Sequence, residues 1–100
     1  MGSSTIYKSI NGFHRFVSTY GSNGKHFLDE SMLKRYIINI DQVIYVKSYG
    51  KYELKKTVDE KTIFEPINVY VIITTKDSIY ISEEEFDKLF DFDDNIVFIH

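Results

Sequence analysis

The residues best suited to chemistry in this chain are three histidines and many carboxylates. His14, His26 and His100 are far apart and show neither an HxxxH nor an HExxH spacing, so no histidine-based metal site or catalytic triad is predicted. Residues 91–95 match only the start of a calcium-binding loop, because Ile96 stands where the turn glycine belongs. Cysteine is absent. We therefore predict a protein that is not an enzyme and has no cofactor or metal.

A glycine loop is the first candidate for ligand binding. Gly21 and Gly24 are separated by two residues and followed by Lys25, whereas a Walker A loop has four residues between its glycines and Ser or Thr after its lysine. Residues 20–27 resemble instead the GXXG loop of KH nucleic-acid-binding domains, in which a tight turn clamps the nucleic-acid backbone. The resemblance implies nucleic-acid binding through Gly21, Gly24 and Lys25. A plain flexible turn is the alternative.

A second candidate is a sheet face rich in tyrosine and lysine, opposite the predicted core face. Tyrosines mixed with lysines are typical of protein interfaces and also provide stacking platforms for unpaired bases. The alternative is that the N-terminal segment covers this face and makes the tyrosines part of a second core. The predicted face carries Val43, Tyr45, Lys47, Lys51, Tyr70, Ile72 and Tyr80. The predicted partner-binding residues are Tyr45, Lys47, Tyr49, Lys51, Tyr70 and Tyr80.

Charge is distributed unevenly along the chain. Residues 1–56 carry nine basic and four acidic side chains, and residues 57–100 carry three basic and eleven acidic ones, for a net charge of −3. Such an asymmetry can steer a charged partner or let two copies dock. Alternatively, folding interleaves the two signs.

Period-two alternation of apolar residues predicts the strands that carry the tyrosines. Between residues 36 and 54 the even positions 38, 40, 44, 46, 52 and 54 are apolar, Ile44 among them. Residues 48–50 are predicted to form a hairpin loop with Tyr49 at its exposed tip. Residues 57–66 are predicted to be a long connection.

A second hairpin is predicted from residues 67–81, where odd positions are apolar. Its turn at residues 75–77 would place Ile73 opposite Ile79, with Asp77 in the left-handed conformation.

The clearest helix signal follows this hairpin. Ser82 as N-cap and Glu85 three residues later form a capping-box pattern, which predicts a helix over about 82–90 with a buried stripe of Phe86, Leu89 and Phe90. A short helix over about 29–35 is also predicted, and residues 96–99 are predicted to form a strand.

Length and composition favour a single domain over residues 1–100, with 43% apolar residues and no linker-like segment. The predicted fold is α+β: an antiparallel sheet of about five strands built from two hairpins, with the C-terminal helix packed on one face. Residues 1–4 resemble a cloning remnant or a disordered start. The sequence has no membrane span or signal peptide, and we expect a cytoplasmic protein.

These observations predict a non-enzymatic binding protein that acts through a protein–protein interface. A small regulator or inhibitor encoded by a bacterium or phage fits the size and the bias toward Ile, Lys, Asn, Asp and Tyr. The alternative is a nucleic-acid-binding module that uses the Tyr/Lys sheet face or the Gly21–Gly24 loop. No membrane partner is expected, and a homodimer formed at an exposed strand edge is a further option.

Overall fold

The structure, a computed structural model, describes residues 5–18, 26–89 and 96–99. Several residues for which the sequence makes predictions lie outside these ranges: residues 1–4, Gly21, Gly24, Lys25, Phe90, residues 91–95 and His100.

Strands make up most of the described chain, as the alternation of apolar residues predicts. The strands are β1 (Thr5–Gly12), β2 (Val17–Ser18), β3 (His26–Asp29), β4 (Lys34–Asn39), β5 (Val43–Val58), β6 (Lys61–Thr74), β7 (Ser78–Ser82) and β8 (Ile96–Ile99). Helix α1 (Glu83–Leu89) lies between β7 and β8. A mostly stranded fold with a helix near its C-terminus confirms the α+β class.

The described strands form two sheets rather than the single antiparallel sheet predicted. The smaller sheet has the order β4–β1–β8, and the larger has the order β2–β3–β5–β6–β7. The larger sheet is mixed because β3 runs parallel to β5. Phe13 joins the two sheets, since its backbone exchanges two hydrogen bonds of 2.8 Å with Tyr80 of β7. Gly12 permits this close approach: a Cβ there would lie 2.6 Å from Cγ2 of Ile79.

Strands β5 and β6 form one long hairpin that pairs along its whole length. Its two-residue turn consists of Asp59 and Glu60, with φ angles of 51° and 65°, which is the left-handed conformation that a type I′ turn needs at both central positions. The predicted loop at residues 48–50 and the predicted connection at residues 57–66 are therefore wrong. The molecule is elongated, with a longest dimension of 57 Å.

The predicted turn at residues 75–77 is confirmed between β6 and β7. The Thr74 N–H donates to the Asp77 carbonyl at 2.9 Å, and the Asp77 N–H donates to Thr74 Oγ1 at 2.9 Å. The strand register differs by one residue from the prediction, because Ile79 lies opposite Ile72. Asp77 does not have a positive φ.

Strand β1 anchors helix α1 at both ends. The helix begins after Ser82 as predicted, with the Glu85 N–H 3.4 Å from Ser82 Oγ. The other half of the capping box does not form, because Glu85 Oε1 accepts the Asn11 N–H of β1 at 2.9 Å. The fully buried Lys8 donates from Nζ to the Leu89 carbonyl at the C-terminus of the helix, where a cation complements the helix dipole.

Two core clusters lie on opposite faces of the larger sheet. Val69 and Ile72 are an odd number of residues apart on β6, so their side chains lie on opposite faces. The second core cluster is centred on Phe13, Leu28 and Val69. The first core cluster lies between the two sheets and α1, and its buried residues are Ile10, Ile38, Ile72, Ile79, Ile81 and Leu89.

The predicted helix over residues 29–35 is wrong. A 3₁₀ turn at Glu30–Met32 and the start of β4 occupy this segment. Asp29 caps the turn, since its Oδ1 accepts the Ser31 N–H at 3.0 Å and the Ser31 hydroxyl at 2.9 Å. Hydrogen bonding from the Ser31 backbone lowers the pKa of Asp29. The 3₁₀ turn does not continue as an α-helix, because the chain from Lys34 onward pairs with β1.

Candidate binding surface

The first half of β5 exposes several large side chains side by side. Ile44 is 61% exposed, Tyr45 46% and Tyr49 42%, and Lys47 is also exposed. We call these four residues the β5 surface. Single exposed apolar residues are ordinary, whereas a contiguous group on one strand is typical of an interaction site.

Two β-bulges on β5 account for the exposure of this surface. The register with β6 shifts between Val43 and Tyr45 and again between Ser48 and Gly50, so Ile44 and Tyr49 are the extra residues. A bulge leaves its extra residue outside the regular ladder and re-aims its side chain. Ile44 is consequently exposed, which overturns its predicted place on the core face.

The second bulge depends on a glycine. Gly50 has a φ of +133°, a conformation that residues with a side chain rarely adopt. Because Tyr49 is the extra residue, positions before and after it exchange faces of the sheet. Val46 lies opposite Ile72 on one face, and Tyr52 lies opposite Ile67 on the other. The hairpin predicted at this point would have placed Val46 and Tyr52 on the same face, and that prediction is wrong.

The β5 surface lies beside a strand edge that the described residues leave open. On one side β5 pairs with β6 throughout, and on the other it pairs with β3 only at residues 53–55. Residues 43–52 therefore have no described strand on their second side. Open edges are places where another chain can add a strand.

An aromatic cluster forms the inner border of the β5 surface. The Phe16 ring stacks on Tyr49 at 5.6 Å and contacts Tyr52 at 4.7 Å and Tyr80 at 4.8 Å, measured between ring centroids. The N-terminal segment thus covers Tyr52 and Tyr80 but leaves Tyr45 and much of Tyr49 uncovered. The second-core interpretation therefore describes Tyr52 and Tyr80, and the open-face interpretation describes Tyr45 and much of Tyr49.

Tyr80 is partly buried in the aromatic cluster. Burial raises its pKa, and the neighbouring Tyr49 raises it further. Tyr80 also takes part in the backbone link to Phe13. Its neutral phenol is therefore part of the packing between the N-terminal segment and the sheet.

The predicted partner-binding residues do not all share one face. Tyr70 lies on the face of the first core cluster and stacks on Phe86 of α1 at 3.9 Å between ring centroids. Lys51 lies opposite Asn68, an even number of residues from Tyr70, and so on the same face as Tyr70. Tyr45, Lys47, Tyr49 and Tyr80 lie on or beside the other face. The prediction of one shared face is wrong because of the bulges and the shifted register.

The lysines of this region make no ion pair with any described residue. Lys47 Nζ lies 5.6 Å from the Tyr45 ring centroid, a cation–π contact. Lys51 is exposed on the opposite face. The open edge is therefore flanked by positive charge on both faces of the sheet.

A groove between α1 and the hairpin shows a different electrostatic pattern. Its volume is about 400 Å³, and Glu30, Glu65 and Glu84 line it together with Lys56. Lys56 forms an ion pair with Glu65. Hydrogen bonding to Glu65 raises the pKa of Lys56, with charge contributions from Glu65, Glu30 and Glu84. Charges from the two halves of the sequence are interleaved here, as the second charge interpretation predicts.

The described histidines and the buried Glu85 do not come together in one site. Among the described residues no group of His, Cys, Asp or Glu side chains is placed to hold a metal ion. His14 is exposed, and His26 Nδ1 lies 2.9 Å from the Ser18 hydroxyl. Glu85 is buried, accepts the Asn11 N–H and pairs with Lys88 at 3.1 Å. The hydrogen bond from Asn11 ties α1 to β1.

Comparisons of the chain with protein-family models, with curated proteins and with solved structures found no match. In the part of the chain that the structure describes, no helix is long and apolar enough to span a membrane.

Proposed function

We propose that this chain is a non-enzymatic protein-binding domain whose interface is the β5 surface. The observation that carries the proposal is the exposure of Ile44, Tyr45 and Tyr49 within six residues of one strand, beside an edge with no described neighbour. Tyrosines fixed on a rigid strand supply apolar contact area at little entropic cost and are enriched in the centres of protein interfaces. A lysine stacked on Tyr45 adds a polar handle at the rim.

The packing of Tyr70 favours a protein partner over nucleic acid. Tyr70, which the nucleic-acid alternative needs as a stacking platform, is already stacked on Phe86.

We further propose that the chain regulates or inhibits the protein it binds by covering part of that protein's surface.

Site-specific photo-crosslinking tests this function. The photoreactive amino acid p-benzoylphenylalanine is placed at Tyr45 and, in a matched control, at Phe64, an aromatic residue at the other end of the same hairpin with nearly equal exposure of 47%. Both variants are irradiated in cells of the natural host. We expect one discrete protein adduct from position 45 and none from position 64.

Equal, unspecific adducts from both positions would contradict the proposal. Adducts that nuclease treatment removes would support the nucleic-acid alternative instead. Fluorescence anisotropy with labelled single-stranded and duplex nucleic acids at low salt provides the complementary measurement, and we expect no saturable binding.

A further inference from the structure

The open edge of β5 has the geometry that strand addition requires. Residues 45–48 lie in regular register with β6, from Tyr45 opposite Ile73 to Ser48 opposite Tyr70, and the ladder resumes at Gly50. A strand held in this way on one side presents its remaining backbone N–H and C=O groups on the other side. An extended segment from another chain can pair with such groups.

The charge along this edge determines which kind of segment would pair there most stably. Lys47 and Lys51 are the only charged residues between positions 43 and 52, and residues 67–74 of β6 carry no charge at all. Neither lysine has an ion-pair partner among the described residues. Opposite charges on neighbouring strands stabilise their pairing, and like charges destabilise it.

The bulge at Tyr49 sets the spacing of the complementary charges. Lys47 lies opposite Val71 and Lys51 opposite Asn68, so the β6 partners of the two lysines are three residues apart. A regular strand in the same register on the open side would carry acidic residues at positions i and i+3. These residues point to opposite faces, as Lys47 and Lys51 do.

We infer that the open edge of β5 binds an extended acidic segment of a partner protein by strand addition. The segment carries two carboxylates three residues apart, beside Lys51 and Lys47, and an apolar residue two positions further on, beside Tyr45. The inference rests on the proposed protein-binding function and specifies its mode and the chemistry of its ligand.

A second copy of this chain is a poorer occupant of the same edge. Residues 43–52 contain no carboxylate, so no register of self-pairing gives Lys47 or Lys51 an acidic neighbour from that stretch. Antiparallel self-pairing centred on Tyr49 places each Lys47 opposite the Lys51 of the second copy. Lysines on an exposed edge are a common means of preventing such self-association.

A peptide titration followed by amide NMR tests the inference. The probe is the synthetic octapeptide Thr-Glu-Val-Thr-Glu-Thr-Val-Thr, and the matched control has both glutamates replaced by glutamine. We expect the glutamate peptide to bind about tenfold more tightly, since two exposed ion pairs contribute on this scale. We also expect slower hydrogen exchange confined to β5 amides of residues 44–52.

Charge reversal provides the specificity control. In the double variant Lys47→Glu and Lys51→Glu the preference should invert, so that a peptide with two lysines in place of the glutamates binds more tightly. The variant Lys61→Glu with Lys76→Glu, which changes two exposed lysines at hairpin turns, should keep the original preference.

Each other outcome overturns the inference in a recognisable way. Equal affinity for the glutamate and glutamine peptides, or protection of amides outside β5, contradicts an acidic strand at this edge. A dimer in solution whose β5 amides are already protected shows that a second copy occupies it. If the position 45 crosslink still forms in either case, the protein-binding function stands and only strand addition fails.

Discussion

The first core cluster and the β5 surface are built from the same residue types on neighbouring strands, yet one is closed and the other open. Ile72 is fully buried and Ile44 is 61% exposed. Tyr70 is covered by Phe86 of α1, whereas Tyr45 remains 46% exposed beside the Lys47 side chain. The difference lies in the second layer, because β1, β4 and α1 pack on the face of the sheet that carries Tyr70 and Ile72, whereas Tyr45 and Lys47 lie on the opposite face. Tyr45 is therefore exposed because its face lacks that layer, and Ile44 is exposed because it is the extra residue of a bulge.

The largest expected difference in the free energy of unfolding is between the alanine variants of Ile72 and Ile44. Ile72→Ala removes a fully buried side chain and leaves a cavity in the first core cluster, which should lower the free energy of unfolding by about 2 to 5 kcal/mol. Ile44→Ala should change it by less than about 0.5 kcal/mol. Urea denaturation followed by circular dichroism measures both, and similar losses would contradict the contrast.

The next largest difference in stability should be between variants of the buried Lys8 and of the exposed Lys47. Lys8→Met keeps the length of the side chain but leaves carbonyl groups at the end of α1 without their donor, at a cost of about 1 to 3 kcal/mol. Lys47→Met should leave stability unchanged and weaken partner capture. Thermal unfolding of the two variants is the measurement, and an unaltered melting temperature for Lys8→Met would show that the end of α1 does not depend on the Lys8 contact.

The tyrosine pair tests whether interface and core are separate. Tyr70→Ala removes the stacked contact with Phe86 and should cost about 1 to 3 kcal/mol. Tyr45→Ala should cost almost nothing and abolish the crosslinked adduct when p-benzoylphenylalanine is placed at the adjacent Ile44. A cooperative loss of stability in Tyr45→Ala would place Tyr45 in the core instead.

A smaller effect should come from the bulge that gives the β5 surface its shape. Gly50→Ala adds a side chain where φ is +133°, and this strain should cost about 1 kcal/mol. Ser48→Ala, on the regular side of the bulge, is the control. If Gly50→Ala is as stable as the unaltered chain, the backbone at the bulge differs from the one described.

The smallest effect concerns alkaline pH. Burial raises the pKa of Tyr80, so the folded state favours the neutral phenol. The resulting stability is complete below the ordinary tyrosine pKa of about 10 and is lost as the pH rises through the raised value. Between about pH 9 and about pH 11, the urea midpoint of unfolding should fall less steeply with rising pH for Tyr80→Phe than for Tyr45→Phe. Equal slopes would contradict the assignment.

Local signals predicted the parts of the fold that local chemistry determines. Ser82 caps α1 and residues 75–77 form a turn, because a cap and a tight turn depend on a few adjacent residues. The turn at Asp59 and Glu60 was missed, since Glu60 stands where a type I′ turn usually has glycine. Gly50 inside a strand pattern was the available signal for a bulge, whereas Ile44 gave none.

The candidate site was predictable only in part, because local signals do not show which side chains other segments cover. Tyr45, Lys47 and Tyr49 lie together on an exposed strand, as a mixed tyrosine and lysine surface suggests. Tyr70 and Tyr80 have the same pattern in sequence but are covered by Phe86 and Phe16. Such cover depends on segments distant in the chain, which alternation within one strand does not reveal.

Amide hydrogen exchange of the free protein tests the central claim most directly. Residues 69–73 of β6 have a strand on both sides, so their amides should exchange slowly throughout. Residues 44–52 of β5 have a described strand on one side only, so slow and fast amides should alternate along them. Uniformly slow exchange across residues 44–52 would mean that the edge is already covered, and it would contradict an open binding surface on β5.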